Sequence, residues 1–177
     1  MKNSGLNWIT SLGGPLVALP ESLVGTWQGA VGPDEDDDPP EEETDYGKVC
    51  ELSGLAAVFE HAGHAALALT DDPSPATFLP DRSLLVQRLA LAGDQEILSG
   101  IGSIAGTARW EPIAGLTVTE PLVLFDSVYP GAEAPDRLRL DLPQGRYEVR
   151  AAHHEPDAAS ALWVTLVGLY PGSPHAG

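Results

Sequence analysis

The stretch Arg137-Leu-Arg-Leu-Asp-Leu-Pro-Gln-Gly-Arg-Tyr-Glu-Val-Arg150 alternates apolar with charged residues on both sides of Pro143-Gln144-Gly145. A period of two is the mark of a strand with one face buried and the other in water. Proline has no N–H to give a ladder and glycine has no Cβ to clash, so the pair marks a turn between two such strands. The pattern predicts an antiparallel hairpin in which Leu142 meets Gly145. In that register Leu140 faces Tyr147 and Leu138 faces Val149, while Asp141 meets Arg146 and Arg139 meets Glu148 on the wet side. Opposite charges set across from one another support the register.

The same reading extends outward in both directions. Trp8-Ile-Thr-Ser-Leu-Gly-Gly-Pro-Leu-Val-Ala-Leu-Pro20 reads as a strand, a tight turn at Gly13-Gly14-Pro15, and a second strand stopped by Pro20. Glu21 to Trp27 suits a short helical turn. Leu55–Glu60 and Ala65–Thr70 form a hairpin around Ala62-Gly63, and Asp71-Asp72-Pro73-Ser74-Pro75 breaks the chain. Thr77–Leu79, Leu84–Leu91, Leu122–Val128 and Ala161–Tyr170 read as further strands, and Pro171 to Gly177 as a loose tail. Asp94, in the N-cap position, precedes Ile97, Leu98, Ile101 and Ile104, a helical stripe over 94–105. Gly100 and Gly102 weaken that helix by about 1 kcal/mol each. Mostly antiparallel hairpins with two short helices make a strand-rich α+β fold, and 177 residues suit a single domain spanning 1–177.

The composition allows a substantial core, with 43% hydrophobic residues and Trp8, Trp27, Trp110 and Trp163 as candidate anchors. Cys50 is the single cysteine, which excludes an internal disulfide framework and points to a reducing compartment. Beside Val49 and Leu52 it reads as a buried thiol. Asn7, Gly13, Gly14 and Pro15 interrupt any signal-peptide core, and no run approaches the ~18 apolar residues of a membrane span. A cytoplasmic protein is the expectation. The net charge of −17 argues against nucleic acid and anionic membrane, both of which need a positive footprint. Asp34, Glu35, Asp36, Asp37, Asp38, Glu41, Glu42, Glu43 and Asp45 are nine of the 26 acidic residues. They lie in a segment, 33–45, that reads as a mobile acidic loop around Pro39-Pro40. Such a cluster steers a basic partner or only solubilises the chain; calcium binding is a third reading, which the two prolines and the lack of a Gly-centred loop with spaced ligands disfavour.

Other candidate chemistry weakens on context. Gly100-Ile-Gly-Ser-Ile-Ala105 spells a dinucleotide fingerprint, but its glycines fall late in a helical stripe rather than between strand and helix. Glu60, His61 and His64 supply part of a metal set, so a small metal-dependent enzyme or metal-binding module is the rival function. Three or four ligands must converge for that, and 61–64 reads as a solvated turn. His153-His154 reads as a loop. Arg137, Arg139, Arg146 and Arg150 stand among Asp141 and Glu148, which suits a mixed-charge sheet face rather than a phosphate site. Asp71-Asp72 stands in a proline-flanked turn. No catalytic residue, cofactor site or metal site emerges.

Four blocks together carry a family resemblance: Trp8-Ile-x-Ser-x-Gly-Gly-Pro-Leu-Val, Leu23 through Trp27-x-Gly29, Asp45-Tyr46-Gly47-x-Val49-Cys50 and Leu142-Pro143-x-Gly145-Arg146-Tyr147-x-Val149. The chain resembles the immunity protein 21 family of bacterial polymorphic toxin systems, over roughly residues 7–170. The resemblance implies a non-enzymatic protein that binds and neutralises a cognate toxin domain by stoichiometric occlusion. It implies no catalytic residues and no cofactor. The acidic residues add the expectation of a basic toxin. Trp8, Gly13, Gly14, Pro15, Trp27, Gly145 and Tyr147 are then structural residues of the motif.

Overall fold

The computed structural model describes residues 5–31 and 39–172. In chain order the strands are β1 (Leu16–Pro20), β2 (Ala57–His61), β3 (His64–Leu69), β4 (Ala76–Leu79) and β5 (Leu84–Arg88). They continue with β6 (Glu111–Val118), β7 (Leu122–Asp126), β8 (Leu138–Leu140), β9 (Gly145–His154) and β10 (Val164–Pro171). Two α-helices, α1 (Asp45–Cys50) and α2 (Asp94–Thr107), and four 3-10 turns complete the described elements. The strands form two five-stranded sheets, ordered β2-β3-β1-β7-β8 and β4-β5-β10-β9-β6, and every strand pair is antiparallel. The fold is strand-rich α+β.

The inner faces of the two sheets meet in one core, where Leu16, Leu67 and Leu124 of the first pack with Leu85, Val149 and Val167 of the second. The outer faces are covered as well. Val17, Leu19 and Phe125 lie beneath α1 and the 3-10 turns, and Val86, Val164 and Leu166 beneath α2. Cover on both sides explains why β1 and β7 are buried at every residue and, apart from Asp126 at the end of β7, read as continuous apolar runs.

Two expected hairpins are absent, for one physical reason. Leu140, Leu142, Tyr147 and Val149 do share one buried cluster, as the alternation requires. Yet β8 pairs with β7 in the first sheet, and β9 with β6 and β10 in the second. The Pro143-Gln144 corner carries the chain between sheets, so these side chains meet across the core and not along a ladder. The expected charge pairs give way to Arg139 with Glu21 at 3.1 Å and with Asp141, and Arg150 with Glu148 at 2.8 Å. The Trp8–Pro20 run is likewise a strap. Ile9 bridges Ala76 in the direction of the second sheet, whereas β1 pairs with β3 and β7 in the first. The hairpin of β2 and β3 stands where expected, turning at Ala62 and Gly63 with φ of 49° and 78°.

The acidic segment also departs from a loop reading. Glu41–Glu43 is a 3-10 turn and Asp45 opens α1. Thr44 fixes this start: its hydroxyl donates to the Glu41 carbonyl at 2.6 Å and accepts from the Gly47 N–H at 2.9 Å. A Cβ on Gly47 would stand 1.7 Å from the Glu41 carbonyl oxygen, so the packing of this turn needs glycine. Residues 34–38 and 173–177, the acidic core and most of the expected tail, lie outside the described residues.

Helix α2 is seated as its stripe predicts, with Ile97, Ile101 and Ile104 buried. Its N-cap is Gly93 rather than Asp94, and Glu96 accepts the Gly93 N–H at 2.8 Å. Asp94 instead anchors the N-terminal strap, accepting from Leu6 N at 2.7 Å and from Trp8 Nε1 at 2.9 Å. These bonds hold its carboxyl below the usual range. Gly100 and Gly102 are helical and face Leu162 and Arg82, not a phosphate loop. Only Trp27 of the four tryptophans is buried, Trp163 is 40% exposed, and Cys50 is exposed rather than core.

Candidate functional site

The outer face of the first sheet is built on Trp27. The indole N–H donates to the Ser127 carbonyl at 2.9 Å, and the ring meets Phe59 and Phe125 edge-on at 6.1 and 6.4 Å. Over this aromatic floor sits α1, whose Val49 is buried and whose Leu52, just past the helix, packs onto the same cluster. Between α1 and β2 a cleft of about 170 Å³ stays open, walled by Trp27, Leu52, Phe59 and His61 with Asp45 and Lys48 at its edge. Glu60 also lines it, and Glu41, Glu42, Glu43 and Glu51 are exposed on the segments just before and after α1. Because β2 ends its sheet, one side of this cleft is a sheet edge.

His61 is part of the cleft wall. Thr26 Oγ1 gives its one proton to Leu23 O at 2.7 Å, which assigns the His61 Nε2 proton as the donor in the 2.9 Å contact with Thr26. The ring lies 5.1 Å from that of Trp27. Burial pushes the imidazole pKa below its ordinary value, with Asp45 opposing and Lys48 adding to that shift. His61 and His64 do face each other across the hairpin, but His64 is exposed and turned to the Ala62 carbonyl at 3.1 Å. Among the described residues no three His, Cys, Asp or Glu side chains gather as a metal site.

Of the acidic candidates, Glu41, Glu42 and Glu43 are exposed on the 3-10 turn, and Asp45 accepts the Gln28 N–H at 2.8 Å. Asp34, Glu35, Asp36, Asp37 and Asp38 lie outside the described residues. The aromatic wall went unforeseen because Asp45-x-x-Lys48-Val49-x-x-Leu52 is too short a helical pattern to stand out behind an acidic run. Thr44, a capping residue, was the available signal.

A second polar cluster joins residues far apart in sequence. Trp163 Nε1 donates to His153 Nε2 at 3.2 Å, so His153 Nδ1 carries the proton given to Thr165 Oγ1 at 2.9 Å, and Thr165 donates to Asp71. Thr165 is fully buried, so its hydroxyl is a clamp between strands and not a nucleophile. His153 and His154 belong to β9, where a loop was expected.

The chain matches the family model of immunity protein 21 over residues 7–160. It belongs to that family. No curated protein and no solved structure is significantly similar to it. Membership makes the chain an immunity protein with a toxin as its partner. No helix among the described residues is long and apolar enough to cross a membrane.

Two of the family-like blocks converge on a third, which is α1 itself. Gly14 lies so close to the Tyr46 ring that a Cβ there would stand 2.4 Å from it. Gly13 takes a φ of 137°, and Ser11 Oγ accepts both glycine N–H groups at 3.0 and 3.1 Å. Pro15 O receives the Ser127 hydroxyl, and Gly29 O receives the Tyr46 N–H at 3.0 Å. The fourth block sits apart, where Tyr147 is buried and donates to Pro143 O at 2.7 Å beside the strand start at Gly145. Trp8 lies on the other side of the molecule, with the Arg88 guanidinium 4.4 Å from its ring.

Proposed function

We propose that this chain neutralises its toxin by stoichiometric occlusion, acting as a binder without catalysis in the bacterial cytoplasm. The observation that carries the reading is the family match over residues 7–160. The acidic face around α1 supports it, since it suits a basic toxin domain and speeds encounter through long-range attraction. Asp34–Asp38, Glu41–Glu43 and Asp45 are the contact residues this reading favours.

The test is co-expression with the toxin domain encoded beside the chain. Rescue of growth together with a co-purifying complex is the expected result. Absence of both contradicts the proposal. The role of the acidic run is separable: replacing Asp34, Asp36, Asp37 and Asp38 by asparagine should slow association several-fold at low salt and flatten its salt dependence. An unchanged on-rate assigns the run to solubility.

A further inference from the structure

We infer that the cleft between α1 and β2 receives a single large apolar side chain projecting from a basic surface of the toxin. The inference rests on the immunity reading above and adds the seat of binding and the chemistry of what fills it. At about 170 Å³ the cleft falls short of the ~300–1,000 Å³ of small-ligand pockets, so it suits one side chain rather than a metabolite.

The walls favour an apolar occupant. Trp27, Leu52 and Phe59 give it hydrocarbon and ring surface, and His61, tied through its N–H to Thr26, turns no free donor inward. Burial favours the neutral form of that imidazole, which keeps the wall uncharged near neutral pH. Around the opening the signs lean one way: among the residues that line it, Asp45 and Glu60 stand against Lys48, the one cation there. The segments on either side of α1 add only exposed carboxylates, Glu41, Glu42, Glu43 and Glu51. An apolar anchor in a pocket with complementary charge around it is the usual division of labour at a protein interface. The toxin residues surrounding the anchor are therefore lysines and arginines.

The test measures binding of an inactivated toxin domain, encoded beside the chain, to the full-length protein and its variants. Leu52→Trp fills the cleft and should raise Kd by about 100-fold or more, with thermal melting confirming the fold. Lys48→Glu needs no repacking, because Lys48 is exposed, and should tighten binding several-fold by removing the one repulsive charge. Glu111→Lys, on the exposed start of β6 in the other sheet, should leave Kd within about twofold. If the wild type binds and Leu52→Trp binds equally well, or Lys48→Glu weakens binding or leaves it unchanged, the cleft is not the seat while the immunity reading stands. A matching loss with Glu111→Lys also overturns the cleft, because binding then follows net charge alone. If the wild type itself does not bind, the immunity reading and this inference fall together.

Discussion

At the scale of single residues, Trp27 and His61 define the face that matters. Trp27 is 2% exposed, and its indole satisfies the carbonyl of Ser127, itself fully buried. Trp27→Phe keeps much of the packing but strands that carbonyl, which should cost about 1–3 kcal/mol in denaturant unfolding. An unchanged midpoint would contradict the assigned bond. His61 gives a pH signature. Its folded pKa lies below its ordinary value of 6.5 because burial disfavours the charged ring. As pH falls below that value, the unfolded chain takes up a proton that the folded one resists, so stability drops toward acid and is fully present above it. The neighbours that modulate this are Asp45, which favours the charged ring, and Lys48, which opposes it. His61→Gln should therefore flatten the fall in melting temperature between pH 7 and 5.5; an identical slope in wild type and variant would rule the imidazole out as a contributor.

At the scale of elements, α1 is the part whose placement depends most on its neighbours. Six residues cannot hold a helix in water unaided, so its geometry is imposed by the Thr44 cap, the Gly47 approach and the Tyr46 contact with Gly14. Gly47→Ala meets backbone rather than a movable side chain, and should destabilise by at least about 1–3 kcal/mol while weakening toxin binding. Wild-type stability in that variant would show that the turn yields more easily than its packing implies. This helix was not legible in the sequence, because its apolar positions are few and follow a run of carboxylates. By contrast α2 and the β2–β3 hairpin were legible, since Ile97, Ile101 and Ile104 recur at helical spacing and Ala62-Gly63 permits the left-handed turn.

At the scale of the whole molecule, alternation revealed which residues face inward but not which strand lies beside which. Leu140 and Tyr147 turn to the same core whether their strands are hairpin partners or belong to opposed sheets, and the charges of Arg139 and Glu148 fit either arrangement. The partner choice is made by distant strands, β7 for one and β6 with β10 for the other, which a local pattern does not encode. The acidic candidates were legible as charge; the aromatic cleft, which Asp45 alone of them lines, appeared only when β2, α1 and Trp27 came together. The central claim, stoichiometric occlusion, is tested most directly by titrating the activity of the purified toxin domain with this protein. Activity should fall linearly and reach zero at one protein per toxin. Complete silencing by a small fraction of an equivalent would mean turnover, and would contradict the account.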